Sequence, residues 1–388
     1  LSALKADMLS TLPPLSLYVH IPWCVRKCPY CDFNSHQRPE VLPEARYVEA
    51  LISDLEHDLP LVWGRSVVSI FMGGGTPSLF SGASIARLLD GVRARLSLRP
   101  DAEITMECNP GTAEFDFFER YRDAGVNRLS FGVQSFDDRQ LAKLGRIHSA
   151  NEATEAFDKA RRAGFDNINL DLMYALPGQS LEDALSDLEQ ALSLAPEHLS
   201  HYHLTCEPNT VFAARPPKDL PDDDTAFAMQ DACQARLRAA GFQHYEVSAY
   251  ARPHRMAAHN LNYWRFGDYL GIGAGAHGKI SSASGIQRFA KQKIPRLYME
   301  TAGSDSAIQS QQTLSAQQLP FEFALNAWRL TAGFAETDFE LRTGLKIADV
   351  KAFARAQEKG LISREQGWLQ ATELGQRFLN DLMMLFLD

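Results

Sequence analysis

The chain of 388 residues carries 48 acidic against 39 basic residues, a formal net charge of -9, with 45% hydrophobic and 22% charged residues. This is globular composition, enough for two or three domains, and it excludes a disordered chain; the acidic surplus argues against a nucleic-acid partner, because phosphate neutralisation needs Lys and Arg in excess. No apolar run approaches the roughly 18–20 residues of a spanning helix, and the first residues lack the order of a secretory signal, so no transmembrane segment and a cytoplasmic location are expected.

From Leu15 to about Leu204, short β-type runs alternate with amphipathic runs of helical length, the pattern of βα units around a parallel sheet. The predicted strands are Leu17–Ile21, Val67–Met72, Glu103–Glu107, Arg128–Val133, Asn167–Met173 and His198–Thr205, with helices such as Ala45–Asp58, Ile85–Leu96 and Leu181–Leu194 between them. A seventh strand, Tyr245–Tyr250, follows a helix over Asp224–Ala240. An open doubly wound sheet gives the same alternation; the motifs below favour a partial (β/α) barrel in an α/β protein. Next come a Gly-rich aromatic stretch, Phe266–Gly278, and a polar Gln/Ser stretch, Ser304–Gln318, that reads as a linker. Helices at Phe321–Leu330, Asp338–Thr343 and Ile347–Lys359 lead to a two-strand wing, Leu361–Ser363 and Trp368–Ala371, and a last helix. The expected division is therefore a barrel over 1–240, a barrel extension over 241–303, a linker over 304–318 and a small winged-helix-like C-terminal domain over 319–388. That last domain is net acidic and has no basic stripe, so packing or a lid is its expected role and DNA binding is not.

Six cysteines stand at 24, 28, 31, 108, 206 and 233. Three crowd into Trp23-Cys24-Val-Arg-Lys-Cys28-Pro-Tyr-Cys31-Asp-Phe33, directly after the first strand, where one metal centre can reach them all. A disulfide framework does not have this distribution. Zinc is the bland alternative, but a structural zinc site takes four closed ligands, usually as two separated pairs. Iron–sulfur cubanes are normally held by four thiolates, so three in one loop imply a [4Fe-4S] cluster with one iron open to another ligand. Cys108, Cys206 and Cys233 read as small apolar residues.

The second strand ends in Phe71-Met-Gly73-Gly74-Gly75-Thr76-Pro77-Ser78, where a backbone without side chains lets a ligand approach closely. A tight βα turn is the plainer reading. Polar residues recur at the C-terminal ends of later strands, Glu107 and Asn109, then Gln134, with Asp171 inside the fifth; barrel sites gather on that face. Singly, each is more often a cap or solvated loop residue.

C-x3-C-x2-C after the first strand of a βα barrel resembles the signature of the radical S-adenosylmethionine (SAM) superfamily. The glycine segment, Phe131-Gly-Val-Gln-Ser-Phe136, Asp171-Leu-Met-Tyr-Ala-Leu-Pro-Gly178 and the C-terminal domain extend the resemblance to its coproporphyrinogen-dehydrogenase-like branch over nearly the whole chain. The resemblance implies a radical SAM type partial barrel in which Cys24, Cys28 and Cys31 ligate the cluster. It also implies that SAM is contacted by Tyr18, Gly74, Gly75, Thr76, Glu107, Gln134, Arg146 and Asp171.

Two departures separate the chain from the oxygen-independent coproporphyrinogen III dehydrogenases of that branch. Phe33 stands where they carry a further cysteine, and they have a longer N-terminal extension. His259-Asn260-Leu261-Asn262-Tyr263-Trp264 matches the H-N-x-x-Y-W motif that the branch's haem chaperones associate with haem. A histidine can ligate haem iron, and Tyr263 and Trp264 offer aromatic faces to a porphyrin; a buried, hydrogen-bonded His259 is the plainer alternative, and other histidines, His20 among them, are not excluded by spacing. The implied function is a haem chaperone using a [4Fe-4S] cluster, SAM and haem, and passing haem to an acceptor apo-haemoprotein such as a membrane-associated respiratory enzyme. Tetrapyrrole oxidation by radical SAM chemistry is the alternative.

Overall fold

The computed structural model describes residues 11–111 and 118–387. Six parallel strands form its centre: β1 (Leu15–Ile21), β2 (Ser66–Gly74), β3 (Ser97–Cys108), β4 (Arg128–Gln134), β5 (Ile168–Tyr174) and β6 (His198–His203). Strands such as β1 and β5 are buried almost continuously, as expected where helices cover a parallel sheet. Among those helices are α1 (Glu44–Val62), α2 (Gly82–Arg93), α3 (Ala150–Arg162) and α4 (Leu181–Ser193). The last two begin with capping boxes, Ser149 with Glu152 and Ser180 with Asp183, which satisfy backbone donors that a helix start leaves free.

After α5 (Asp223–Ala239), the single strand predicted over Tyr245–Tyr250 is a tight antiparallel hairpin, β7 (Gln243–Glu246) and β8 (Ala249–Ala251). The chain turns at Val247-Ser248, where the Ser248 N–H donates to the Glu246 side chain at 3.2 Å. A short helix, α6 (Ala258–Trp264), carries the H-N-x-x-Y-W segment.

The Gly-rich stretch supplies β9 (Asp268–Ile272), which runs parallel to β1 on the side away from β2. Gly271 permits its close approach to the next segment: a Cβ there would stand 2.0 Å from the His277 carbonyl oxygen. β10 (His277–Ser282), β11 (Gly285–Lys291) and β12 (Ile308–Thr313) then form an antiparallel meander. The polar stretch 304–318 is therefore not a linker. Its Gln and Ser residues face solvent because β12 is the edge of the sheet, paired on one side only. All twelve strands share one sheet in the order β12-β11-β10-β9-β1-β2-β3-β4-β5-β6-β8-β7.

The C-terminal part contains α7 (Leu319–Ala327), β13 (Phe334–Ala335), α8 (Glu336–Thr343), α9 (Lys351–Glu358), β14 (Ile362–Glu365) and β15 (Trp368–Ala371), followed by two short helices. Its wing has three strands, with β13 pairing with β15 beside β14. The aromatic core of this part includes Phe323, Trp328, Phe339 and Phe353, and it draws in Phe266 from just before β9 and Ile286 from β11.

Candidate cluster and cofactor site

Local hydrogen bonds shape the cysteine loop. Trp23-Cys24 bridges in parallel to His36-Gln37, and the Arg38 N–H returns to the Cys24 carbonyl at 2.8 Å. The Asn34 amide ties the loop to the Ala274 and Lys293 carbonyls, both at 2.9 Å. Because the Asn34 carbonyl only accepts, His20 donates to it from Nε2 at 2.9 Å, leaving Nδ1 to accept from the Tyr18 hydroxyl at 2.8 Å. Burial holds His20 near a pKa of about 4, so it is neutral.

Cys24, Cys28 and Cys31 are partly buried free thiols lining one cavity of about 470 Å³. Burial, ahead of the neighbouring thiols, pushes Cys24 up to about 11. Arg146 donates to the Cys28 sulfur at 3.5 Å. Its own Nε is buried without a hydrogen-bond partner among the described residues. Among the described residues, no group of three or more His, Cys, Asp or Glu side chains is gathered closely enough for a single metal ion. The donor set, three thiols and a guanidinium around an open volume, fits a larger thiolate-bound cluster.

Backbone hydrogen bonds hold the glycine turn against this loop, with Gly75 N–H donating to Ile21 at 2.8 Å and Thr76 N–H to Trp23 at 2.7 Å. Gly74 has φ 110° and faces the His20 ring, while a Cβ on Gly75 would stand 2.5 Å from the Trp23 carbonyl oxygen. Only glycine lets the two segments meet so closely.

Gly74, Gly75, Thr76, Glu107, Gln134, Arg146 and Asp171 all line the same cavity; Tyr18 does not. The Gly74 N–H donates to Glu107 at 3.0 Å. Burial, then repulsion from Asp171, raises Glu107 to about 8. Burial also raises Asp171, although Asn169 and Ser130 donate to it at 2.7 and 3.4 Å. Two carboxyls held above their ordinary range in one cavity are suited to a cationic ligand, as the sulfonium and amine of SAM provide. Gln134 is held at φ 74° and accepts from the Tyr202 hydroxyl at 2.9 Å.

The H-N-x-x-Y-W segment divides between wall and interior. Asn260 and Trp264 line the cavity, whereas His259 and Tyr263 do not. The His259 side chain is 7% exposed and stacks on Phe71 with ring centroids 4.3 Å apart, while Tyr263 meets Tyr269 edge-on. Glu103 accepts from the Ala258 and His259 N–H groups and from His259 Nδ1, the last at 2.8 Å. Burial alone would raise Glu103; His259 and Arg128 outweigh it and hold the carboxyl at about 2. An ionised Glu103 accepts, so His259 is protonated on Nδ1, leaving Nε2 with its lone pair.

Sequence reasoning missed other parts of the wall: Ser200, Tyr202, Ser248 and Arg329. Each is a lone residue in an ordinary stretch, brought in by the sheet or by the C-terminal part. No local pattern marks them.

A cysteine loop after the first strand, a glycine turn after the second and polar strand ends around one cavity define a radical SAM protein. The model of the Radical SAM superfamily matches residues 18–191, and that of the HemN C-terminal domain matches residues 314–378. Within that class the chain belongs to the HemW family. It is 51% identical to the Heme chaperone HemW of Escherichia coli (strain K12), over 97% of this chain and 99% of the relative. To the Heme chaperone HemW of Bacillus subtilis (strain 168) it is 33% identical, over 96% and 99%. Among solved structures, the coproporphyrinogen III oxidase HemN from Escherichia coli, a radical SAM enzyme, superposes with a TM-score of 0.81 at 27% identity, covering 97% of this chain and 90% of that one.

Proposed function

We propose that this protein is a haem chaperone that binds haem and hands it to an acceptor protein. In this reading Cys24, Cys28 and Cys31 hold the [4Fe-4S] cluster. The residues that would contact SAM are Gly74, Gly75, Thr76, Glu107, Gln134, Arg146 and Asp171, which line the cavity, with Tyr18, which stands outside it, as a further contact implied by the family resemblance. The acceptor is an apo-haemoprotein such as a membrane-associated respiratory enzyme. The working compartment is the cytoplasm, where six free thiols stay reduced.

One observation carries the haem reading: the H-N-x-x-Y-W segment, in a chain that matches HemW proteins end to end, contributes Asn260 and Trp264 to the cavity shared by the thiols and the glycine turn. We assign His259, Tyr263 and Trp264 to haem. Glu103 fixes Nδ1–H on His259 and burial keeps the ring neutral, which leaves Nε2 as the ligating nitrogen. Because the His259 side chain is only 7% exposed and stands outside the cavity wall, ligation requires the wall to open onto Nε2.

When bound, the cluster supplies one electron to SAM. This chain's own residues would orient SAM from the glycine turn, balance its charge with Glu107 and Asp171, and hold the Arg146 guanidinium beside the Cys28 sulfur.

The test is anaerobic reconstitution of the cluster, haem titration of wild type and His259→Ala, and an assay of coproporphyrinogen III turnover in the same samples. Haem binding without turnover, weakened in the variant, is the expected result. Turnover would overturn the reading in favour of a tetrapyrrole oxidoreductase, the alternative that the HemN likeness offers. Replacing Cys24, Cys28 or Cys31 by Ser is expected to abolish the iron–sulfur absorption while the far-ultraviolet circular dichroism is retained.

A further inference from the structure

Arg329 follows α7 in the C-terminal part, yet it lines the cavity of the barrel. Its guanidinium lies 4.3 Å from the centre of the Trp264 ring. An ion pair, Nη2 to Glu246 at 3.0 Å, holds it there with 30% of the side chain exposed. Arg329 Nε and Trp264 Nε1 are buried donors without hydrogen-bond partners among the described residues. Such groups carry a desolvation cost while unsatisfied. Two of them, on stacked neighbours in one cavity wall, mark an incomplete site.

The missing partner is an acceptor. Elsewhere in the cavity, Glu107 and Asp171 suit a cation; around Trp264, Arg329 gives the wall the opposite preference. Glu246 engages only Nη2, so further guanidinium donors remain for a second carboxylate, the partner with which arginine makes its strongest planar contacts. The Trp264 ring beside it provides apolar surface.

We infer that Arg329, with Trp264, forms a carboxylate-binding subsite that anchors a propionate of the tetrapyrrole. This rests on the haem reading above and deepens it: Arg329 determines specificity for carboxylate-bearing macrocycles and orients them in the cavity.

Cluster-loaded wild type, Arg329→Gln and Glu246→Gln are titrated with haem and with haem dimethyl ester, whose propionates carry no charge. Wild type is expected to bind haem more tightly than the ester by roughly tenfold, the scale of a lost charge-assisted hydrogen bond. Arg329→Gln should lose this preference by weakening haem alone. Glu246→Gln breaks the same ion pair but leaves the guanidinium, and should keep the preference. Were the Arg329–Glu246 pair merely structural, both variants would weaken both ligands alike, and that result overturns the subsite. A preference for haem retained in Arg329→Gln overturns it as well. If wild type binds neither macrocycle, the haem reading itself fails and takes the subsite with it.

Discussion

Glu107 connects a single side chain to a measurable pH dependence. Its carboxyl titrates at 4.5 when unperturbed, and burial followed by repulsion from Asp171 raises it to about 8. The folded state therefore holds this proton more tightly than the unfolded chain. The resulting stability is fully present below about pH 4.5 and is lost as pH rises through about 8. Glu107→Gln keeps an acceptor for the Gly74 N–H but cannot ionise. In SAM-free protein it is expected to gain on wild type as pH rises from about 5 to about 9, by roughly 2–4 kcal/mol at the upper end. Urea denaturation at a series of pH values checks this, and a stability difference that does not change with pH would refute it. Gly75 makes a steric prediction in the same pocket. The atom its Cβ would strike is backbone, the Trp23 carbonyl that accepts from Thr76. Gly75→Ala should therefore destabilise by about 1–3 kcal/mol and weaken SAM binding in equilibrium dialysis.

At the scale of elements, α1 and β11 are joined by buried charge. Lys291 donates to Asp54 at 2.6 Å and to Asp58 at 2.7 Å, with all three side chains at 0–2% exposure. Tyr298 adds a hydrogen bond to Asp54 at 2.7 Å. Removing one partner from such a group strands the others: Lys291→Met should cost about 3–5 kcal/mol, and adding Asp54→Asn and Asp58→Asn should recover much of it. Thermal unfolding of the single and triple variants measures both; a triple variant no more stable than the single one would contradict the stranded-charge account. Sequence pattern hides this contact, because Asp54 and Asp58 read as polar positions on an amphipathic helix and Lys291 lies far along the chain. The same distinction separates the legible elements from the others. The six parallel strands and their helices follow local alternation and caps such as Ser149 and Ser180. β9 was obscured because its Gly271 answers to a close contact with the His277 backbone, and β12 because a polar edge strand looks like a linker. The cysteine loop was legible since all three ligands fall in one short segment, whereas Arg329 reaches the cavity only through tertiary packing.

At the scale of the molecule, several contacts bind the C-terminal part to the sheet. Phe266, just before β9, packs 5.5 Å from Phe323 and belongs to the C-terminal core with Ile286. The Val247 N–H donates to the Arg329 carbonyl at 3.1 Å and the Thr331 N–H to Tyr245 at 3.2 Å, so the β7–β8 hairpin takes part of its backbone pairing from beyond α7. Arg329 adds its ion pair to Glu246 and its stack on Trp264. A unit that shares core residues and backbone hydrogen bonds with its neighbour loses both when that neighbour unfolds, so the two are expected to melt together. Differential scanning calorimetry of the cluster-loaded protein should give a single transition. Phe266→Ala and Arg329→Gln weaken different contacts across the same boundary and should lower that one transition without splitting it. Two transitions in wild type would instead mean that the C-terminal part folds on its own and meets the cavity wall as a movable lid.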